Sequence, residues 1–241
     1  KDFKKNGTII EDAAQGIGTT WDNKQVGLFG SLSAISFHHT KNIKGGYAGL
    51  LTVNDSKYIE KAKFIYERGT DRSKVISGIK NKYEWVEIGS SFQVPDILSA
   101  IIYAQLEDYD QIIRKRKKIH NFYSSYFSKE ELKNTLYVQK GPSLSTTNYH
   151  AFVLIFKNNT IAKKFIEFTK NEGVNCYIGY VPLHNSKKGK DLKLNSRLEI
   201  TEKLSNRIVR LPVHTNIKNE DIKYIENTFN KFFKRMLNIS I

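Results

Sequence analysis

The chain has 241 residues, 39% of them apolar, which is enough for a buried core and one or two domains. No stretch approaches the roughly 18 uninterrupted apolar residues of a membrane helix, and KDFKKNG at the start lacks the apolar centre of a signal peptide. A single cysteine, Cys176, excludes an internal disulfide, fits a reducing compartment, and sits beside Val174 and Tyr177 as a candidate core residue.

The formal charge is +15, from 39 basic and 24 acidic residues, but only eight of the basic residues are arginine. A lysine-dominated excess argues less for a nucleic-acid surface than arginine forks would. The densest basic run, Arg114 to Lys118, falls inside a helical pattern and reads as a solvated helix face. The only methionine is Met236, so residue 1 is not an initiator, and Lys1 is expected to follow a removed or longer upstream segment.

In chain order, GTIIED (7–12) reads as a short strand ending in two carboxylates, LSAISF (32–37) as a second strand and GLLTV (49–53) as a third. Short apolar runs separated by glycine turns suit interior strands of a mixed or parallel sheet. Asn54-Asp55-Ser56 caps a predicted helix to Arg68, with Ile59, Ala62, Ile65 and Tyr66 on one face. Residues 69–93 read as a long loop. Pro95-Asp96 opens a single long helix to about Phe127. After the polar stretch 141–148, AFVLIF (151–156) is a strand, 160–172 a helix, 174–184 a strand leading to a loop, and 186–193 a flexible lysine-rich segment. RIVRLPVH (207–214) and an amphipathic helix over 219–233 close the chain. The expected division is 1–127 and 128–241, or alternatively within 141–148, and there is no internal repeat.

A lysine behind a strand is by itself uninformative. EDAAQ, however, ends one strand with Asp12, and SFHHTK ends another with Lys41, five residues after Ser36. If these strands run parallel, both groups project at the carboxyl edge, where α/β sheets bind ligands. An amine and an acid held there match what pyridoxal phosphate requires: a Schiff-base lysine, and a carboxylate that keeps the ring nitrogen protonated by opposite charge.

EDAAQGIGTTW, SFHHTKN and GGYAGLLTVND together resemble the DegT/DnrJ/StrS family of sugar aminotransferases. ERGTDRS, KYEWVEIGSSF, AQLE and VPLH are similar to one branch, the dTDP-4-amino-4,6-dideoxygalactose transaminases, and the resemblance runs from Ile9 to Phe233. It implies an α/β fold of type I, here the carboxyl part of the large domain followed by a small α/β domain. It also implies pyridoxal 5′-phosphate as cofactor, glutamate as amino donor, a dTDP-linked 4-keto-6-deoxyhexose as acceptor, and a cytoplasmic homodimer with shared active sites serving surface polysaccharide synthesis. No metal, nucleic acid or membrane partner is implied.

Carried onto this sequence, the resemblance makes Lys41 the Schiff-base and proton-shuttling residue and Asp12 the partner of the ring nitrogen. Gln15 would lie near the phenolic oxygen, and Ser36 would donate to the phosphate. Ser91 stands where many members have an asparagine that reaches a neighbouring subunit's cofactor; serine is shorter and would need a bridging water. His184 corresponds to a histidine near the substrate entrance, with a structural role as the equal alternative. His38 matches the motif and reads as a hydrogen-bonded core residue, and His39 lies outside it.

Two features depart from the family pattern. GGYAG replaces Gly-Gly-Glu-Gly-Gly, placing Tyr47 and Ala48 where glycines let the backbone approach the cofactor. The upstream strands, and the helix whose N-terminus holds the phosphate, are absent from this sequence. Loss of that part would expose a sheet edge and apolar faces. Three alternatives therefore stand beside the aminotransferase. One is a truncated or degenerate homologue that acts as a binding partner or not at all. Another is a dehydratase relative, which would carry histidine in place of the lysine. The third is a basic nucleic-acid binder.

Overall fold

A computed structural model describes residues 7–179, 181–192 and 197–239. Tyr180 of the strand expected over 174–184, Lys193 of the lysine-rich segment and residues 1–6 lie outside the described residues. The chain forms two compact units, Lys1–Ile112 with Pro142–Asn148, and Ile113–Gly141 with Tyr149–Ile241.

The first unit begins with β1 (Ile10–Asp12), followed by a hairpin of β2 (Thr20–Trp21) and β3 (Lys24–Gln25), then β4 (Leu32–Ser36) and β5 (Gly49–Val53). Its main sheet has the order β1-β4-β5, with β1 parallel to β4 and β4 antiparallel to β5. The mixed sheet matches the expectation, but among the described residues only β4 is an interior strand.

A single 3-10 turn capped by Asp55 leads into α1 (Ile59–Tyr66). The expected loop over 69–93 is interrupted by the short α2 (Arg72–Ile76). The single helix expected to Phe127 is two helices, α3 (Asp96–Glu107) and α4 (Tyr109–Phe127), broken at Asp108. The division between the units falls inside α4, after Ile112, and not at 127. The periodicity of apolar residues carries through the break and so conceals it.

Packing explains the glycine turns of this unit. Gly18 has φ +77°, and a Cβ there would lie 1.2 Å from the Tyr109 hydroxyl, so both backbone and space require glycine. A small core of Phe37, Ile43, Ala48 and Ile102 ties the turn behind β4 to α3.

In the second unit, α4 continues to β6 (Leu136–Val138). The chain then returns to the first unit, where β7 (Ser145–Thr146) pairs with β2. Next come β8 (Phe152–Phe156), α5 (Asn159–Asn171), β9 (Tyr177–Ile178), α6 (Lys187–Asp191), α7 (Glu199–Ser205), β10 (Ile208–Leu211) and α8 (Asn219–Leu237). The antiparallel sheet has the order β6-β8-β10-β9. Among the described residues of the expected strand over 174–184, only Tyr177–Ile178 is paired, and the lysine-rich segment, expected to be flexible, forms α6 over Lys187–Asp191.

The core of this unit follows from periodicity. Phe152, Leu154 and Phe156 alternate on β8, and Ile119, Tyr123, Tyr126 and Phe127 lie at helical spacing on α4. They meet Ala162 and Phe165 of α5 and Phe229, Phe232 and Phe233 of α8. Each fully buried phenylalanine contributes about 1.5–3 kcal/mol. Cys176 is in this core as expected. The basic run is not wholly solvated: Arg116 is buried, with its guanidinium donating to the carbonyls of Tyr149 and His150 at 3.0 and 2.6 Å.

Candidate functional site

β1 ends in two carboxylates, and strand alternation sends them to opposite faces. Glu11 accepts from the backbone N–H groups of Gly27 (2.9 Å), Phe29 (2.5 Å) and Gly30 (2.5 Å), and so fastens the turn that covers one face. Asp12 is exposed on the other face, where its only hydrogen bond among the described residues is from the N–H of Ala14 at 3.1 Å.

The register of the sheet fixes what shares that face. Asp12 stands opposite Ala34, which stands opposite Leu51; Ile10, Leu32 and Val53 form the next row. Ser36 lies two residues beyond Ala34, beside Gly49, and therefore projects on the same side as Asp12. This face is open: Ile10 is 66% and Leu51 55% exposed. Ser36 accepts from the N–H of His38 at 3.2 Å and keeps its own proton for a further acceptor.

Lys41 sits half-buried in the turn behind β4, with its backbone N–H donating to His38 O at 2.8 Å. Among the described residues its ammonium makes no hydrogen bond or ion pair. The turn itself is pinned at two points. Gln105 of α3 accepts from the N–H of Lys44 at 2.9 Å and donates to its carbonyl at 2.7 Å. Asn42 donates to the carbonyl of Asn148 at 2.8 Å, while the Asn148 amide donates to the carbonyls of Gln15 (2.7 Å) and Ile17 (2.8 Å). Asn148 thus ties the loop after Asp12 to the turn that carries Lys41. No sequence signal marks Asn148 for this role, because it stands in a polar stretch resembling a linker. Gln105, within AQLE, has its function only through the contact with Lys44.

The glycine pair behind Lys41 also has a structural cause. A Cβ on Gly45 would lie 2.4 Å from the Ile102 side chain, and Gly46 has φ +68°. Helix packing and turn geometry therefore account for these glycines. Tyr47 is 90% exposed, with edge contacts to His38 and His39 at centroid distances of 5.4 and 6.3 Å. His38, expected in the core, is half-buried in this turn and bonded to the Thr40 hydroxyl at 2.9 Å. Desolvation, then the neighbouring His39 and Lys41, lower its pKa below the usual imidazole value.

The Gln15 side chain is exposed. Ser91 is exposed in an isolated bridge with Glu67. His184 belongs to the second unit, in a 3-10 turn (Leu183–Asn185), where Nε2 lies 3.1 Å from Glu202 Oε1. No group of acidic, histidine or cysteine side chains suited to a metal ion occurs among the described residues, and no described helix is long and apolar enough to cross a membrane.

The residues present suit pyridoxal phosphate on chemical grounds. A carboxylate and a hydroxyl share one open sheet face, and an unpaired amine occupies the turn that follows it.

Residues 4–230 match the DegT/DnrJ/EryC1/StrS aminotransferase family. A UDP-4-amino-4,6-dideoxy-N-acetyl-beta-L-altrosamine transaminase of Campylobacter jejuni is 24% identical over 93% of this chain and 58% of its own length. A GDP-perosamine synthase of Escherichia coli O157:H7 is 26% identical over 95% of this chain and 59% of its own length. In fold, the chain is similar to Helicobacter pylori PseC, an aminotransferase involved in the biosynthesis of pseudoaminic acid (TM-score 0.82, 23% identity, 96% of this chain and 61% of that one). The chain spans about three-fifths of the length of these relatives. It belongs to the DegT/DnrJ/EryC1/StrS aminotransferase family, whose members depend on pyridoxal phosphate and have the type I fold.

Proposed function

We propose that this chain serves amino transfer to a nucleotide-linked keto sugar, with Lys41 as the residue that takes the aldehyde of pyridoxal phosphate. The observation that carries the reading is the placement of Asp12 and Ser36 on one open sheet face, with the unpaired Lys41 amine in the turn beyond.

In this reading, the Asp12 carboxylate pairs with the protonated ring nitrogen, Ser36 donates to the phosphate, and Gln15 lies along the ring. Once bound, the cofactor supplies an electron sink for breaking the bond to the donor's α-hydrogen. Lys41 would hold the cofactor by its aldehyde, and its Nζ, when free, would accept and return the donor's α-proton.

Glutamate is the proposed donor and a dTDP-linked 4-keto-6-deoxyhexose the proposed acceptor. The carriers named in the two relatives, UDP and GDP, make all three nucleotides the set to assay. His184 is assigned to the sugar, and Ser91 to the cofactor phosphate of a second copy. Exposed Trp85, Ile88, Phe92 and Ile97 support such a dimer, because apolar side chains in one segment gain from burial against a partner. Nucleotide sugars as substrates favour a cytoplasmic setting.

Borohydride reduction in the presence of pyridoxal phosphate, followed by peptide mass analysis, tests the reading. The cofactor should be fixed on Lys41 and lost in Lys41→Ala. Labelling spread evenly over the surface lysines, with none preferred, would overturn it.

A further inference from the structure

The net charge of the chain resides in one of its two units. The second unit carries 25 basic and 10 acidic residues, whereas the first carries 14 of each. A lysine bias of composition alone would load both units alike, so drift does not explain the difference.

Within the second unit, residues 181–200 join this charge to exposed aliphatic side chains. Leu183 is 81%, Ile200 76%, Val181 66% and Leu192 58% exposed. Lys187, Lys188 and Lys190 of α6 are exposed too, and among the described residues their ammonium groups make no ion pair or hydrogen bond. The acidic residues of the stretch are Asp191 and Glu199, and Glu199 is paired with Arg197 at 3.2 Å.

These side chains stand on elements that are locked together. A Cβ on Gly189 would lie 2.0 Å from Leu183 O, so α6 packs on the backbone of the turn Leu183–Asn185. Ser186 closes that turn, donating to Leu183 O at 2.6 Å and accepting from the N–H of Gly189 at 3.1 Å. His184 Nε2, 3.1 Å from Glu202 Oε1, ties the same turn to α7, which carries Ile200. Single aliphatic side chains on a surface are ordinary, but several on one braced segment beside unpaired lysines mark an interaction site.

The chemistry of the patch selects its partner. Residues 181–200 contain no Phe, Tyr or Trp on which a base could stack, and lysine is a point charge without the planar fork that reads bases. A second copy would set +15 against +15. Ammonium groups beside aliphatic side chains match an anionic bilayer surface, where lysines meet headgroup phosphates and leucines enter the acyl boundary. We infer that the Leu183 turn, α6 and the start of α7 form a peripheral contact with anionic phospholipid. This contact is independent of the role assigned to Lys41.

Vesicle flotation with the whole chain tests it, because aggregated protein stays at the bottom of the gradient. The chain should float with vesicles of phosphatidylglycerol and phosphatidylcholine in equal parts, not with phosphatidylcholine alone, and flotation should fall as salt rises. Lys187→Gln, Lys188→Gln and Lys190→Gln together should weaken binding roughly a hundredfold, about fivefold for each charge. Leu183→Asp with Ile200→Asp should weaken it about tenfold or more. Lys163→Gln, Lys164→Gln and Lys223→Gln, equal in charge but on α5 and α8, should weaken it far less. Circular dichroism checks that each variant is folded. Absence of flotation at low salt overturns the inference. So does an equal loss from the two lysine triples, which would assign the attraction to the field of the whole unit, or full binding by the Leu183→Asp, Ile200→Asp variant. Binding to a single-stranded oligonucleotide that withstands competition by the anionic vesicles would give the patch to nucleic acid and overturn it as well.

Discussion

Asp12 and Ser36 stand on one face of the β1–β4 sheet because Asp12 is in register with Ala34 and Ser36 follows Ala34 by two residues. Glu11, one residue earlier, is turned to the other face and bonded to three backbone N–H groups. The two adjacent carboxylates therefore have separable effects. Glu11→Ala should lower stability by about 2–4 kcal/mol, because several part-buried donors lose their acceptor. Asp12→Ala should change stability by about 1 kcal/mol or less, since it removes one turn-capping bond, yet abolish amino transfer. Denaturant melts paired with turnover assays of the two variants measure the contrast. Equal destabilisation by both would remove the distinction.

Lys41→Ala should retain the fold. The amine has no partner among the described residues, so its removal strands no buried acceptor, while Asn42, Gln105 and Asn148 still hold the turn. Circular dichroism should be unchanged and cofactor capture lost. A variant that unfolds would show that Lys41 carries structure as well as chemistry.

Gly18→Ala should be disproportionately costly for a methyl group. It adds strain at φ +77°, about 1–2 kcal/mol, to a clash with the Tyr109 hydroxyl. Tyr109→Ala introduced with Gly18→Ala should recover the steric part but not the backbone part, and a double-mutant cycle should report coupling between the sites. Strict additivity would exclude the contact.

Burial pushes the Cys176 thiol up from its ordinary 9.0 to about 12, only partly opposed by the Thr169 hydroxyl. The folded protein therefore holds the proton more tightly than the unfolded chain. The stabilisation is complete below about pH 9 and is lost as pH rises from there towards 12, because the unfolded thiol ionises first. Native protein at pH 8 should resist iodoacetamide, and unfolded protein should react fully. Rapid native labelling would place the thiol outside the core.

Much of this was legible along the chain. The strands at 10–12, 32–36, 49–53, 152–156 and 208–211 announce themselves as short apolar runs, and α8 by its amphipathic spacing. The pattern failed where packing and not periodicity decides: at Asp108, where α3 and α4 part, and at Arg116, a buried cation inside a run that looks solvated. The glycines after Lys41 can be read as clearance for a ligand, yet Gly45 is required by Ile102, a partner 57 positions away in a helix.

The sequence by itself marked which residues were available for chemistry, because Asp12 and Ser36 stand at strand ends, with Lys41 in the turn beyond, and side-chain alternation along a strand is a local property. Only the tertiary structure decided which of two adjacent carboxylates remains free and that Asn148 joins the loop after Asp12 to the turn of Lys41. It likewise decided that His184 meets Glu202. Each of these is a contact between distant segments, set by strand register and by the directionality of hydrogen bonds, and none of them is written in the residues of one segment alone.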